Sequence, residues 1–326
     1  MFSKELFEKV LVEPVKKGCN KLYIVSGYAT AAMAFHHLDF IKKIRTDVNI
    51  ELLVGMCPTD GISLSNHNGF QHLMGSDSPD NFKCSYIMTP PSVHSKVYSW
   101  FSNDDPCCGF IGSTNYTQMA FGSKQREVID ECDPNQALDY YKSLNYDTIF
   151  CTHPEAENYI HIYKDKYFMH RKISGRKTLE LDGTEIADDI TGLPNITISF
   201  LDRYGNLPQR SGLNWGQRPE AGREPNQAYI RLTSEIYRTD FFPPKTAHFT
   251  VSTDDSKVLI CSRAQEKVGK AIHTPHNNSL IGEYFRHRLG IPNGHPVTTD
   301  DLLKYGRTDV TFFKIDNETY FMDFSV

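Results

Sequence analysis

Between Thr152 and Thr191 the hydrophobic pattern of this chain breaks off, and the segments on either side of the break are patterned differently. The intervening stretch is polar and mixed, with an acidic cluster at Glu180, Asp182, Glu185, Asp188 and Asp189. A chain of 326 residues also exceeds what one ordinary core organises. Two domains are therefore expected, residues 1–152 and 192–326, joined by a connector over 153–191.

The first segment alternates strand and helix patterns. Strands are expected over Leu22–Ser26, Asn49–Val54, Ser85–Met88, Val93–Trp100, Cys108–Ile111 and Glu127–Ile129, with helices over Ala29–Leu38 and Asn135–Leu144. That alternation predicts an α/β domain with a mostly parallel sheet. After Pro194 the pattern is mostly β. Strands are expected over Ile196–Leu201, Tyr229–Leu232, His248–Ser252, Lys257–Ser262, Asp309–Ile315 and Thr319–Phe324, and helices over Leu280–Leu289 and Asp300–Lys304. Short strands with two helices predict a small barrel or pseudobarrel.

Composition narrows the setting. Eight cysteines, seven of them before residue 152, include no CxxC pair, which argues against a zinc ribbon or a secreted disulfide framework. No secretory h-region or membrane-spanning apolar run is present, so a cytoplasmic protein with no membrane element is expected. The net charge of −5 argues mildly against nucleic-acid binding, but it is uneven. Residues 1–194 carry 19 basic and 25 acidic side chains (−6), and residues 195–326 carry 16 and 15 (+1). Arg203, Arg210, Arg218, Arg223 and Arg231 fall in a stretch with only Glu220 and Glu224 as acids.

Chemistry concentrates at His94-Ser95-Lys96. On a strand, alternate side chains share a face, so His94 and Lys96 form a nucleophile beside an anion clamp. Gly112-Ser113-Thr114-Asn115 follows at the end of the next strand, where small residues and a helix N-terminus admit an anion. Glu127 supplies a carboxylate able to hold an imidazole tautomer. Each piece alone has an ordinary reading: a satisfied strand histidine, a solvated lysine, a helix-capping turn. Their ordered combination is the signal.

These motifs resemble the phospholipase D superfamily over Leu22 to about Cys151. The resemblance implies that His94 attacks phosphorus, that Lys96 and Asn115 hold non-bridging oxygens, that Ser113 supports the phosphate, and that Glu127 orients His94, without a metal or other cofactor. The superfamily motif usually places an aspartate five residues after the lysine. Phe101 stands there, and Asp104 and Asp105 are out of register. In the restriction-nuclease branch the downstream glutamate serves instead. The mechanism needs two histidines and residues 1–152 hold one HxK motif, so a homodimer through the nuclease domain is expected.

In the second segment, Gln209–Pro219 gathers guanidinium, amide and indole groups. Arg210, Asn214, Trp215, Gln217, Arg218, Arg223, Asn226 and Gln227 are candidate DNA contacts, since Arg matches guanine edges and Asn or Gln matches adenine edges. Arg263, Gln265, Lys270 and Asn277 form a second candidate arm. The alternative readings are a surface loop of solvated arginines, a core anchor for Trp215 and a helix cap for Asn277–Ser279. Leu213–Arg218, Asn277–Arg286 and Tyr305–Phe312 are similar to the C-terminal domain of NgoFVII-type restriction endonucleases, a seven-stranded B-three-like pseudobarrel whose two arms enter the major groove. That resemblance implies a sequence-specific endodeoxyribonuclease acting on double-stranded DNA, with a companion methyltransferase and, in some relatives, an ATPase. The rival readings are a lipid-acting or other phosphodiesterase, a DNA binder without catalysis, and a metal-dependent nuclease built on Asp255-Ser256-Lys257.

Overall fold

The computed structural model describes residues 1–122, 125–164, 192–265 and 269–326. It divides into two units, Met1–Lys164 and Asp165–Val326. Residues 153–164, expected in the connector, belong to the first unit, and the acidic cluster Glu180–Asp189 lies outside the described residues.

The first unit carries strands β1 (Lys21–Ser26), β2 (Asn49–Val54), β3 (Ile62–Ser63), β4 (Phe82–Ile87), β5 (Lys96–Ser102), β6 (Asp105–Gly112), β7 (Ile129–Cys132), β8 (Thr148–Phe150) and β9 (Ile162–Tyr163). Seven of them form one sheet in the order β7-β6-β5-β1-β2-β4-β8, and β3 pairs with β9. Within the seven-stranded sheet β1–β2 and β2–β4 are parallel, and β1–β5, β5–β6, β6–β7 and β4–β8 are antiparallel. The expected mostly parallel sheet is thus a mixed one. The reason is local: β5 and β6 are separated by Asn103-Asp104 alone, with Asn103 at φ 56°, and so short a link joins only antiparallel neighbours. The sheet reads as α/β from its sequence because β1, β2 and β4 are joined through helices.

Three helices matter for the site. In α1 (Ala31–Ile41) the Thr30 side chain accepts the Met33 N–H, and the run Ala31–Phe35 with Leu38 and Ile41 is buried. α2 (Leu64–His72) is capped by Ser63 and was not anticipated, because its polar sequence shows little periodicity. In α3 (Pro134–Leu144) Asp133 accepts the N–H groups of Asn135 and Gln136, and Ala137 and Tyr141 pack on Val25, Leu53, Ile87 and Val97. β1 and its neighbours are therefore covered and rigid where they end.

The second unit holds β10 (Asn195–Ser199), β11 (Ile230–Arg231), β12 (His248–Thr253), β13 (Val258–Ala264), β14 (Ala271–His273), β15 (Asp309–Lys314) and β16 (Thr319–Asp323). They form a seven-stranded, nearly closed barrel-like sheet in the order β10-β15-β16-β12-β13-β14-β11. Helix α4 (Leu280–Leu289) coincides with the expected one. Helix α5 (Thr299–Tyr305) starts at a capping box between Thr298 and Asp301. β14 is only three residues long and escaped the sequence pattern. Phe249, Phe285, Phe312, Tyr320 and Phe324 fill the core. Asp255-Ser256-Lys257 lies in the turn between β12 and β13, where Arg288 pairs with Asp254 and Asp255 at 2.7 and 3.5 Å. Those acids are engaged in ion pairs within the barrel. Among the described residues no helix is long and apolar enough to cross a membrane.

His37 on α1 is fully buried, 2.9 Å from the Tyr116 hydroxyl and 3.2 Å from the Leu11 carbonyl oxygen. Burial holds its pKa down at about 3. In the unfolded chain an ordinary histidine protonates near pH ~6.5. The unfolded state therefore binds the extra proton first, and stability is complete above that pH and falls as the pH drops toward 3. We expect the first unit to lose about 1.4 kcal/mol per pH unit for this group between pH ~6 and ~4. Urea midpoints followed through Trp100 in a Trp215→Phe background check this; a flat profile contradicts the neutral buried imidazole.

Candidate active site and nucleic-acid interface

The candidate active site forms where β1, β5 and β6 end together. Ser26 is paired with Lys96 across β1–β5, and Val97 with Ile111 across β5–β6. These pairings bring the Ser26-Gly27, His94–Lys96 and Gly112–Asn115 segments side by side. Lys96 opens β5, whereas His94 precedes it in an extended lead-in whose Val93 N–H bonds to the Gly55 carbonyl. Two glycines shape this lead-in. A Cβ on Gly55 would sit 2.0 Å from the Val93 carbonyl oxygen. One on Gly27 would sit 3.1 Å from His94 Cδ2 and 3.4 Å from Lys96 Nζ.

Lys96 is buried, 5% exposed, beneath an exposed His94. Its Nζ lies 3.0 Å from both ring nitrogens of His94 and donates to the His94 carbonyl oxygen. Burial lowers the lysine pKa, and the charge of Glu127 acts against that shift. An ammonium largely stripped of water and left facing an open imidazole is an anion site in waiting.

Asn115 is fixed by its oxygen. Oδ1 accepts the Tyr28 N–H at 3.1 Å, which turns the amide NH2 to the other side. The Ser26 hydroxyl donates to the Tyr28 carbonyl at 2.6 Å and accepts the Tyr116 N–H at 2.9 Å, tying β1 to the loop after β6. Ser113 donates its hydroxyl hydrogen to Glu127 and accepts the Val128 N–H at 3.1 Å. Glu127 sits two residues ahead of β7 rather than within a strand, and its hydrogen bond is to Ser113 rather than to His94. The helix after Asn115, Gln118–Phe121, is a single turn, so the expected anion-binding helix N-terminus is absent from this position. Phe101, which replaces the usual aspartate, is a core residue against Tyr23, and exposed Asp104 pairs with Lys21.

Sequence reasoning missed Ser26, Gly27 and Tyr28. The Tyr28 ring meets the His94 ring edge-on at 6.0 Å, and its hydroxyl donates to Asp60. The only hint was a strand running into a glycine. Beside His94 a cavity of about 350 Å³ is lined by Thr89, Ser92, Ser95, Tyr140 and Asp147 among others, and Ser95 and Tyr140 share a hydroxyl contact of 2.7 Å. Among the described residues no three His, Cys, Asp or Glu side chains converge as metal ligands do.

The second unit redistributes the candidate DNA contacts. Asn214, 1% exposed, is structural: its amide donates to the Pro208 and Val297 carbonyls and accepts the Val297 N–H at 2.8 Å. Asn226 is buried as well, donating to Glu224 and accepting the Gly294 N–H. Gln217 donates to the Pro225 and Gly294 carbonyls. Arg263 is buried on the Gly269, Pro243 and Tyr237 carbonyls. Asn277 accepts the Ser279 N–H ahead of α4. Asn214, Asn226 and Arg263 are committed to holding the loops, because a buried polar group must be paired where it stands, and are corrected from base readers to scaffold; Gln217 is half-buried and Asn277 exposed. Arg286, fully buried on four carbonyls, pins the same loop to α4.

What faces outward is a smaller set. Arg223 lies 3.9 Å over the half-buried Trp215 ring and donates to Gln227, and Tyr229 meets that ring edge-on. Arg218 donates to the Arg210 carbonyl, and Arg210 pairs with Glu220. On the other arm, Gln265 is exposed with φ 67°, Lys270 is half-buried near Tyr237, and residues 266–268 lie outside the described residues.

Residues 4–158 match the model of the NgoFVII restriction endonuclease N-terminal PLD domain, and residues 188–316 match the NgoFVII C-terminal B3-like DNA-binding domain. This chain belongs to the NgoFVII restriction endonuclease family. The family is one of DNA-cleaving hydrolases, and its B3-like domain binds DNA. Among solved structures, NucT from Helicobacter pylori is similar at 15% identity, covering 46% of this chain and 96% of its own, with a TM-score of 0.32. Nuc from Salmonella typhimurium, a phospholipase D family member, is similar at 16% identity, covering 44% and 89%, with a TM-score of 0.33. The polyphosphate kinase of Porphyromonas gingivalis is similar at 13% identity over 53% of this chain and 26% of its own, with a TM-score of 0.30. No curated protein matches the sequence.

Gly27→Ala tests the cleft. The added methyl meets His94 and Lys96 and displaces one from the other, so single-turnover DNA cleavage should fall by about 10- to 100-fold. DNA affinity in a mobility-shift assay should hold.

Proposed function

We propose that this protein is a sequence-specific endodeoxyribonuclease that cleaves a DNA phosphodiester bond through a covalent phosphohistidine on His94, without a metal ion. The observation that carries the proposal is the buried Lys96 ammonium 3.0 Å from the ring of an exposed His94. In the first step an imidazole nitrogen attacks phosphorus and the P–O bond to one sugar oxygen breaks; a second imidazole gives that oxygen its proton. In the second step the same acid, now a base, takes a proton from water, which attacks phosphorus and frees His94. Charge on the non-bridging oxygens is met by Lys96 and by the Asn115 amide, whose orientation the Tyr28 N–H sets. The Ser113 hydroxyl steadies the phosphate. Glu127 acts through Ser113, to which it is bonded, and through its field on Lys96. The covalent nucleophile and the cation fill the roles an ion otherwise fills.

The second imidazole comes from a second copy of the chain. Among the described residues of the first unit no histidine but His94 has a lysine two residues on: His37 and His67 are buried on Tyr116 and Tyr86, burial holds the His36 pKa down at about 4, His72 pairs with Asp77, His153 accepts the Glu155 N–H, and His161 lies beside Tyr163. Apolar Ile111 and Val128, 48% and 42% exposed, flank Ser113 and Glu127 in sequence, as an interface centred on the site requires. Sequence choice falls to the outward groups Arg210, Arg218, Arg223, Trp215, Gln227, Gln265 and Lys270. A companion methyltransferase protects the host sequence, and an ATPase partner belongs to the same system in some relatives.

His94→Ala should lower cleavage at least about 1000-fold while leaving DNA binding intact. The native enzyme should cut in excess chelator and leave an alkali-stable, acid-labile protein–DNA adduct when quenched early. Cleavage retained by the variant, or abolished by chelator, ends the proposal. Sedimentation should show two chains, and a heterodimer of native and His94→Ala chains should be inactive. An active monomer contradicts the shared site.

A further inference from the structure

Three of the eight cysteines meet away from the cleft. Cys19 lies in the turn between the N-terminal helical segment and β1, and is held on both sides: its own N–H bonds to the Pro14 carbonyl at 3.0 Å, and the Asn20 N–H bonds to the Phe101 carbonyl at 2.8 Å. Across from it, the β5–β6 register shifts between Trp100 and Phe101, which pair with Cys108 and Pro106. Cys107 is the extra residue of that bulge, and a bulge re-aims the side chain it carries. Cys19, Cys107 and Cys108 line one open cavity of about 400 Å³ together with Lys9, Lys17 and Glu13. Cys107 is exposed, Cys108 partly buried and Cys19 buried, all as free thiols.

We infer that Cys19 and Cys107 form a thiol–disulfide exchange site that reacts with small-molecule disulfides of the glutathione type and closes an intrachain Cys19–Cys107 bond. Cys107 is the entry point because it alone of the three is open to solvent. Its thiol gives a proton to water, and the thiolate bonds to one sulfur of the incoming disulfide while that S–S bond breaks and one thiolate departs. Cys19, also deprotonated, then bonds to the Cys107 sulfur and expels the second thiolate. One small disulfide becomes two thiols, and two protein thiols become one disulfide. Lys9 and Lys17 stand at the cavity to receive the carboxylates of such a reagent, although Glu5, 3.6 Å from Lys9, Glu13, 3.8 Å from Lys17, and Glu131 in the lining partly offset that charge.

Geometry selects the resolving thiol. Cys19 lines the same cavity as Cys107 and Cys108 and interacts with both, so its local concentration at a mixed disulfide on Cys107 is far above that of any free thiol. Burial pushes the Cys19 thiol up from its ordinary value and Cys108 to about 11, so neither makes first contact with reagent.

The test treats the full native chain with oxidised glutathione at mildly alkaline pH and reads intact mass and unreduced tryptic peptides. The expected result is a loss of about 2 Da and a link between peptides 18–21 and 97–124, abolished in Cys107→Ser and kept in Cys108→Ser. Cys107→Ser alters an exposed side chain, so its circular dichroism and melting temperature should match the native chain. A persistent glutathione adduct on Cys107, a link that survives Cys107→Ser or is lost in Cys108→Ser, or no reaction at all overturns the inference.

Discussion

An ammonium group buried under an imidazole is the arrangement on which the first unit turns. Lys96 is almost without solvent, and its nearest partners are the two nitrogens and the carbonyl of His94. A charge so placed is under-compensated, since the nearest carboxylate, Glu127, is bonded to Ser113. Such a site is costly to fold, and an anion beside it would complete its neutralisation. The rest of the unit keeps it in place: Gly27 and Gly55 let the His94 lead-in pass close to the sheet, and α3 packs behind β1 and β5.

The second unit solves a related problem with the opposite outcome. Its long loop between β10 and β11 is rich in arginine, asparagine and glutamine, and much of that polarity is spent inward. Asn214, Asn226, Gln217 and Arg286 satisfy carbonyls and N–H groups that the loop would otherwise leave bare. The scaffold so made carries a compact outward group in which the Arg223 guanidinium sits over the Trp215 ring. Stacking of this kind lowers the entropy an arginine loses on meeting a base or a phosphate. Rigid support under a few exposed guanidiniums is what specific recognition asks for.

Much of this was legible in the chain. The α/β and mostly-β fold classes, twelve of the strands within a few residues, α1, α3, α4 and α5, and the grouping of His94, Lys96, Ser113 and Asn115 follow from periodicity, glycine punctuation and motif order. The mixed sheet was not legible, because strand direction is decided by connection length and packing rather than by strand sequence. Helix α2 was hidden by polar residues that are buried through capping and hydrogen bonds instead of an apolar stripe.

The sequence by itself determined which chemical groups are available and in what order: an HxK strand entry, a small-residue loop with amide and hydroxyl, a downstream carboxylate, and an arginine-rich arm on a β scaffold. Only the tertiary structure decided which of those groups face outward. Asn214 and Trp215 are adjacent in the chain, yet one is sealed among carbonyls and the other carries an arginine on its ring. Residue type sets what a side chain is able to bond with. Burial and the position of unpaired backbone groups set what it does bond with, and those belong to the packed chain.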